Sequence, residues 1–417
     1  MMNPVRVALL GAGDRGRFTY AKYALDHPDE LTIVAIAEPD ETKRRRIVEE
    51  HSIESGLAVS DWRALFERPL PVDAVIIAIQ DAMHKDAILA AMEGQYHILC
   101  EKPVVTTLEE SKAIAEKAKQ YDKVFSVAHV LRYSRFFNKV RHLLDEGAIG
   151  RLIGIELDES VGHIHMSHSF VRGHWNNSNT SAPMILAKSC HDLDILRYLA
   201  GSECTSLSSY GDLHHFTAEH KPAGATARCT DGCPHLQTCP YAAQKIYLGD
   251  NIGWPVSVIT TDLSIEGRLK ALREGPWGRC VYQCDNNVVD HQTVQMRFEN
   301  GVIATFTMSG FTMKTHRTLR LMGTGGELMG DMEAGLLTLQ DFSSREEQTI
   351  RLETTQEGHS GSDARFIADF VRLVRSHITE GGTSVAQALQ SHNMAFAAEA
   401  SRLSGGAKIE MKEYQEQ

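Results

Sequence analysis

Short apolar runs alternate with amphipathic segments along the first third of the chain. The runs VRVALLGAG, LTIVAIAEPD, DAVIIAIQ and HILCEKP contain consecutive β-forming residues, and each precedes a segment whose apolar positions recur with a helical period. Strands that are apolar on both faces are typical of a parallel sheet covered by helices on both sides. The pattern therefore predicts βαβ units and an α/β domain with a doubly wound parallel sheet over residues 1–128.

The pattern changes from about residue 129. The segments RLIGIELDESVG and HQTVQMRFENGVIATFTMSGF alternate apolar and polar positions, and Asn300-Gly301 is typical of a two-residue hairpin turn. We therefore expect residues 129–417 to form an α+β domain with a large open, mainly antiparallel sheet. Residues 212–288 interrupt the strand pattern with cysteine, proline, tryptophan and histidine, which indicates an insertion or a long functional loop.

Helical periodicity gives the positions of the helices in both domains. The predicted helices cover residues 18–27, 41–51, 82–93, 108–121, 136–146, 191–199, 362–376 and 384–403.

Composition and net charge argue against nucleic-acid and membrane partners. Of the 417 residues 42% are apolar and 23% charged, without a biased tract, so the chain should fold nearly end to end. The formal net charge of −11 opposes binding to a polyanion, so we expect no nucleic-acid partner. No apolar stretch approaches the length of a membrane span, and the N-terminus MMNPVRVALLGAG lacks the features of a signal peptide. We therefore expect a cytoplasmic protein without a membrane partner.

A glycine-rich turn joins the first predicted strand to the first predicted helix. Its sequence, Gly11-Ala12-Gly13-Asp14-Arg15-Gly16, fits the dinucleotide-binding (Rossmann) pattern, in which Gly11 forms the turn, Gly13 lets a pyrophosphate approach and Gly16 allows close packing. Glu38 follows the second strand, where a carboxylate can accept hydrogen bonds from both ribose hydroxyls. The basic run at residues 43–46 leaves NADP as an alternative, but the sequence favours NAD.

Four segments together resemble one protein family. They are LLGAGDRG near the N-terminus, Cys100-Glu101-Lys102-Pro103 after the fifth strand, GAIGRLIGIE at the domain junction and Cys190-His191-Asp192-Leu193-Asp194 at the start of a helix. In these segments the chain is similar to the Gfo/Idh/MocA family of NAD(P)-dependent sugar and inositol oxidoreductases. The resemblance implies an N-terminal Rossmann domain, a second domain with a large open sheet, and a homo-oligomer, dimer or tetramer, formed through that sheet.

The resemblance also implies roles for individual residues. The lysine of the family's Glu-Lys-Pro motif, here Lys102, contacts the reacting hydroxyl. The glutamate, here Glu101, lies near the nicotinamide ribose, and the proline peptide is commonly cis. The residues that we expect to contact the cofactor are Gly11, Gly13, Asp14, Arg15, Gly16, Glu38, Gln80, His84, Glu101 and Lys102.

Oxidation of an alcohol needs a group that takes the hydroxyl proton while hydride leaves. Lys102, at the carboxyl end of a predicted parallel strand, and His191, at the start of a helix, are the candidates. The family has an aspartate four residues before this histidine, but this chain has Ala187 there, followed by Lys188. Lys188 is therefore a third candidate for the acid–base role.

Two further groups of residues could serve binding. The segment at residues 163–168 holds three histidines, and Trp175 follows, so we expect His165 and Trp175, with Lys102 and His191, to contact a carbohydrate substrate. Five cysteines lie between residues 229 and 284, and the spacing within 229/233 and 280/284 suits zinc ligands. We predict a structural zinc at Cys229, Cys233, Cys239 and Cys284; an iron–sulfur cluster on the same atoms, free thiols and a disulfide remain open.

Three functions are compatible with these features. The first is an NAD-dependent oxidoreductase acting on a secondary alcohol of a sugar, glycoside or cyclitol. The second is an NAD-dependent glycosidase, which oxidises C3, eliminates the C1 substituent and returns the hydride. The third is a nucleotide-binding sensor without catalysis, which the presence of both Lys102 and His191 disfavours.

Overall fold

The computed structural model describes residues 3–354 and 358–416. These residues form two compact units. The first unit contains residues 3–150, 193–201 and the described part of 350–396, and the second contains residues 151–192, 202–349 and 397–416. No helix among the described residues is long and apolar enough to cross a lipid bilayer.

The first unit is built on a six-stranded parallel sheet. Its strands are β1 (Val5–Leu10), β2 (Leu31–Ala37), β3 (Ala58–Val59), β4 (Ala74–Ile77), β5 (His97–Cys100) and β6 (Phe125–Val127). They lie in the order β3-β2-β1-β4-β5-β6, and the central strands β1 and β4 are almost entirely buried. This order confirms the predicted doubly wound sheet. The order reverses between β1 and β4, where such sheets bind ligands beyond the carboxyl ends of the strands.

The helices agree with the sequence pattern most closely where both helix ends have local signals. The α-helices are α1 (Lys22–Asp26), α2 (Glu41–His51), α3 (His84–Glu93), α4 (Leu108–Ala118), α5 (Arg135–Asp145), α6 (His163–His165), α7 (Met184–Ala187), α8 (Cys190–Ala200), α9 (Ala243–Tyr247), α10 (Val256–Ile259), α11 (Ile265–Glu274), α12 (Gly358–Ser376), α13 (Val385–Leu403) and α14 (Met411–Glu416). Helix α2 has the predicted bounds because the Asp40 side chain accepts from the Lys43 amide at its start and Ser52 is left-handed at its end.

The helix after the glycine turn differs from the prediction. Gly16–Ala21 forms wide π-helical turns, and only Lys22–Asp26 is α-helical. Arg15 and Tyr20, five positions apart, both reach the carboxylate of Glu101, and a π turn brings residues at that spacing to the same side. Sequence periodicity does not reveal this contact, because Glu101 is distant along the chain.

The second unit contains a nine-stranded mixed sheet. Its strands are β7 (Leu152–Ser160), β8 (Cys204–Asp212), β9 (His291–Phe298), β10 (Ile303–Ser309), β11 (His316–Gly323), β12 (Gly326–Asp331), β13 (Leu336–Asp341), β14 (Glu347–Arg351) and β15 (Ile409–Glu410). The order is β14-β13-β12-β11-β7-β10-β9-β8-β15. Strand β7 pairs in parallel with β10 and antiparallel with β11, and β9 and β10 form the predicted hairpin with Gly301 at a φ of 89°. The prediction of a mainly antiparallel sheet is therefore confirmed.

The segment predicted as an insertion lies between β8 and β9. It contains the short helices α9, α10 and α11 and has its own small apolar core. The buried members of that core are Cys229, Ala243, Tyr247, Val256, Ile259, Leu272 and Trp277. Much of the insertion consists of turns, so this core is small for the length of chain that it orders.

Candidate functional site

Of the three glycines in the turn after β1, only Gly13 has open space where a side chain would be. A Cβ on Gly11, which has a φ of 92°, would lie 2.4 Å from the Ala78 carbonyl oxygen, and a Cβ on Gly16 would lie 2.0 Å from the Gly11 carbonyl oxygen. A Cβ on Gly13 would have no atom within 4 Å. Gly11 and Gly16 are therefore needed for packing, whereas the open side of Gly13 is the kind of cradle that a pyrophosphate fills.

Glu38 is bound to this turn. Its carboxylate accepts from the Ala12 amide at 2.7 Å and from the Asp40 amide at 3.0 Å, and the side chain is mostly buried. The Arg44 guanidinium donates to the Glu38 carbonyl oxygen at 2.6 Å. Arg44 thus binds the backbone of Glu38. Because its guanidinium is already engaged there, this arrangement does not favour the 2′-phosphate of NADP.

Arg15 makes ion pairs within the protein. Its Nε lies 2.6 Å from Glu101, its two Nη atoms lie 2.8 and 2.9 Å from the Asp363 carboxylate, and the Tyr20 hydroxyl donates to Glu101 at 2.7 Å. Burial alone would raise the pKa of Glu101, but Arg15 and Tyr20 lower it overall, so the group stays a carboxylate. Burial raises the pKa of Asp14. In these contacts Arg15 and Glu101 hold the glycine turn and the end of β5 together. A contact of either residue with the cofactor remains a prediction.

His84 supports the segment that carries Lys102. Its Nδ1 lies 2.7 Å from the Pro103 carbonyl oxygen and its Nε2 lies 3.1 Å from that of Ile79. His84 is fully buried, whereas Lys102 is half-buried and Gln80 is exposed. The Lys102–Pro103 peptide is cis, as the resemblance implied. His84 therefore braces the ends of β4 and β5, and a direct contact to the cofactor stays a prediction.

His392 on α13 supports the same segment. The Val104 amide donates to its Nε2 at 2.9 Å, and its Nδ1 donates to the Ala388 carbonyl oxygen at 2.7 Å. Burial lowers the pKa of His392 to about 3, which keeps the ring neutral and lets one nitrogen accept while the other donates. Sequence analysis missed this residue, because nothing near it in the chain resembles a motif.

In the second unit, His191 and Lys188 lie on either side of the start of α8. His191 is its second residue and only 6% exposed. The Lys188 ammonium lies 3.2 Å from the Glu159 carboxylate, whose side chain on β7 is completely buried. A carboxylate is thus present beside this turn although residue 187 is alanine. It comes from β7, a strand that the sequence predicted, but Glu159 itself was not among the predicted site residues.

Glu159 belongs to a larger buried ion network. Arg317 on β11 is the register partner of Glu159, contacts its carboxylate, and also lies 2.6 Å from the Asp192 carboxylate on α8. Burial raises the pKa of Asp192 to about 7, while Arg317 and Lys188 lower the pKa of Glu159 despite its burial. The alternating charges Lys188, Glu159, Arg317 and Asp192 connect the first turn of α8 to the sheet.

An aromatic group lies around Phe170 in the second unit. The rings of His165 and Trp175 lie 5.7 and 6.3 Å from that of Phe170, so the structure brings these two predicted substrate residues together. Trp254, from the insertion, lies 5.0 Å from the His165 ring and is 44% exposed. His168 is buried against Tyr247, with a pKa lowered by burial to about 3. Trp254 was missed, although a tryptophan within a cysteine-rich insertion is a signal that could have identified it.

The structure does not support the predicted zinc site. Cys229, Cys233, Cys239 and Cys280 line one cavity, but the Cys284 thiol instead donates to the Cys280 carbonyl oxygen at 3.3 Å. Among the described residues no three or more histidine, cysteine, aspartate or glutamate side chains are grouped so that they could hold a metal ion. The choice of Cys284 rather than Cys280 as the fourth ligand was wrong, because the Cys284 thiol turns back to the Cys280 carbonyl oxygen while Cys280 lines the cavity.

Relatives with known names share parts of this chain. The scyllo-inositol 2-dehydrogenase (NAD(+)) of Bacillus subtilis is 31% identical over 214 residues, which are 51% of this chain and 58% of that protein. The inositol 2-dehydrogenase of Corynebacterium glutamicum is 28% identical over 225 residues, 50% of this chain and 57% of that protein. The chain thus spans less than two thirds of the length of these relatives. A levoglucosan dehydrogenase in complex with NADH and levoglucosan has a similar fold, with a TM-score of 0.72 and 19% identity over 98% of this chain and 100% of that one.

Two family models match the chain consecutively. The model described as an oxidoreductase family with an NAD-binding Rossmann fold matches residues 5–129, and the model of that family's C-terminal alpha/beta domain matches residues 141–411. These ranges correspond to the parallel sheet with its glycine turn and to the mixed sheet described above. The chain therefore belongs to the Gfo/Idh/MocA oxidoreductase family.

Proposed function

We propose that the protein is an NAD-dependent oxidoreductase that takes hydride from a secondary alcohol of a sugar, glycoside or cyclitol. The observation that carries this proposal is the open side of Gly13 in the turn after β1, with the carboxylate of Glu38 bound to the same turn. Gly13 leaves room for a pyrophosphate at the turn that opens the first helix, where backbone amides can donate to phosphate oxygens, and Glu38 supplies an acceptor for ribose hydroxyls. The residues present therefore fit an NAD molecule.

Oxidation of the substrate hydroxyl needs one group that stabilises its oxygen and another that accepts its proton. When bound, NAD supplies the acceptor for the hydride. Lys102 donates a hydrogen bond to the hydroxyl oxygen and stabilises the negative charge that develops there, while His191 takes the proton. We assign the proton to His191 rather than to Lys188, because Lys188 is already the cationic partner of the buried carboxylate of Glu159.

The substrate class is supported by the named relatives and by the aromatic group. The names of the relatives specify inositols and levoglucosan, which are polyhydroxylated rings. His165 and Trp175 offer a hydrogen-bonding ring and an apolar face of the kind that binds such compounds. We therefore place the substrate among carbohydrates and cyclitols, bound by Lys102, His165, Trp175 and His191.

The proposal is tested by product analysis. The protein is incubated with NAD and a panel of sugars, inositols, anhydrosugars and aryl glycosides, and both NADH absorbance and aglycone release are followed. We expect net NADH together with a keto product for at least one compound. Release of aglycone without net NADH would instead identify a glycosidase, and NAD binding without turnover on any compound would identify a sensor.

The preference for NAD should depend on Glu38. Changing Glu38→Ala removes the charged acceptor for the ribose hydroxyls, so we expect the NAD affinity to fall roughly 10–100-fold, as for the loss of about 1.5–3 kcal/mol from charged hydrogen bonds. NADP affinity should fall less. Calorimetric titration of both nucleotides measures the change.

Glu49→Ala is the matched control for this prediction, since Glu49 lies on α2 and its side chain is 67% exposed. It should leave both affinities unchanged. Tighter binding of NADP than of NAD by the wild type, or an unchanged preference in Glu38→Ala, would show that Glu38 does not select the cofactor.

A further inference from the structure

Four cysteine thiols of the second unit surround one cavity. Two of these cysteines lie next to a short β-bridge that holds their backbones in place. The cavity is lined by Cys229, Cys233, Cys239 and Cys280. Cys229 and Cys280 flank an isolated antiparallel bridge, in which the Cys229 amide donates to Gly278 and the Cys280 amide donates to Ala227, both at 2.8 Å. These two thiols, 51 positions apart in the sequence, therefore have fixed backbones on either side of the cavity.

The other two thiols come from a compact loop. Gly232 has a φ of 74° and reverses the chain immediately before Cys233. The Cys239 amide then donates to the His235 carbonyl oxygen at 2.8 Å, which turns the chain back towards the cavity. Pro234 and Pro240 directly follow the two cysteines, and a proline after a ligating cysteine also occurs in bacterial ferredoxin motifs.

The size of the cavity decides between a single ion and a larger group. A zinc ion needs its four sulfur atoms about 2.3 Å away, and the described residues include no group of side chains placed for an ion in this way. The centre of a water-sized sphere can move through about 20 Å³ of the cavity. A sphere of that volume, enlarged by the radius of a water molecule, has a radius of roughly 3 Å. The thiols thus surround room for a core of several atoms.

A buried cation lines the same cavity. Arg172 is 1% exposed, and it donates to the carbonyl oxygens of Arg279 and Tyr241 and, at 3.7 Å, to the Cys229 sulfur. Its Nη1 has no hydrogen-bond partner among the described residues, and the oxygens that its other nitrogens contact are backbone carbonyls, not carboxylates. A buried guanidinium without an anion is unfavourable, so Arg172 indicates that the cavity receives negative charge.

We propose that Cys229, Cys233, Cys239 and Cys280 bind an iron–sulfur cluster of the four-iron type. Each thiol loses its proton as its sulfur ligates one iron, and the resulting set of four thiolates with the cluster carries the net negative charge that Arg172 balances. The cluster links the bridge at residues 228 and 279 to the loop at 232–239. It therefore stabilises an insertion whose own apolar core is small, and it takes no part in hydride transfer.

The experiment starts with the full-length protein purified without oxygen and without chelators. We expect about four irons and about four acid-labile sulfides per chain, and a visible charge-transfer absorption that is lost on exposure to air. Loss of the cluster should lower the melting temperature. Zinc as the only metal, or a folded protein without iron and sulfide, would overturn the proposal.

Paired variants keep the test specific. Cys233→Ser and Cys280→Ser should each lower the iron and sulfide content and the visible absorption, whereas Cys284→Ser, which removes a thiol outside the cavity, should keep both. Arg172→Gln offers a second measurement, because it retains all the thiols but removes the balancing charge; its cluster should be lost in air faster than that of the wild type. Equal iron in Cys233→Ser and in the wild type would overturn the assignment of that ligand.

Discussion

Replacing Lys102 or His191 by alanine is expected to lower kcat by roughly 10²–10⁴, the range for lost acid–base or electrostatic assistance to proton transfer. The expected cause is that Lys102 holds the substrate oxygen while His191 takes its proton. Steady-state kinetics on the substrate found in the panel measures kcat, and titration measures NAD affinity, which should change little in either variant.

The double variant separates a shared step from two independent effects. If both side chains act on one proton transfer, the double variant should be far less impaired than the product of the single effects. Lys119→Ala and His142→Ala are the controls, because these side chains are 68% and 59% exposed. They should retain wild-type turnover.

Three outcomes would contradict these roles. Loss of NAD binding in Lys102→Ala would assign a structural or cofactor role to the lysine. Multiplicative effects in the double variant would separate the two residues into different steps. Loss of activity in Lys188→Ala together with normal activity in His191→Ala would move the proton to Lys188, in spite of its pairing with Glu159.

The fold could be predicted from the sequence because its signals are local. An apolar strand followed by a helical period appears within about thirty residues of sequence, and β1, β2, β4 and β5 are each recognisable in this way. The bounds of α2 followed from Asp40 at its start. Asn300-Gly301 likewise predicted the hairpin of β9 and β10, since the turn residues themselves determine the pairing.

The side-chain partners in the site could not be predicted, because they are distant in the sequence. Arg15 contacts Asp363, which follows it by 348 positions, and Arg317 contacts Asp192 across 125 positions. The glycine motif indicates that Arg15 lies in the turn, but it does not reveal that the guanidinium pairs with carboxylates of the protein itself. The sequence therefore gives the position of Arg15 in the glycine turn but not the partners of its guanidinium.

The cysteines show the same limit. The sequence rule favours cysteines that are two to four positions apart, which makes 280/284 a suitable spacing, and the predicted zinc site took Cys284 from that pair and left out Cys280. In the structure a β-bridge joins the backbones next to Cys229 and Cys280 instead, and the cavity lies between them. Spacing along the chain could not reveal this bridge, because it is isolated and its two residues, Arg228 and Arg279, belong to no regular strand.

Changing Gly13→Val is expected to abolish detectable binding of NAD while the protein remains folded. A Cβ at residue 13 meets no atom within 4 Å, so the side chain enters the open side of the turn and occupies the space for a pyrophosphate. We expect the dissociation constant to rise by more than roughly 100-fold, which corresponds to about 3 kcal/mol. Titration with NAD measures the affinity, and thermal unfolding without nucleotide measures stability, which should change by less than about 0.5 kcal/mol.

Gly16→Val is the matched control, because it adds the same side chain three positions further along the turn. There a Cβ would lie 2.0 Å from the Gly11 carbonyl oxygen, so the variant should unfold at a lower temperature even without nucleotide. The two glycines thus separate the requirements of the fold from those of the ligand. Normal NAD affinity in Gly13→Val would contradict the proposed cradle, since a branched side chain and a pyrophosphate cannot share that space.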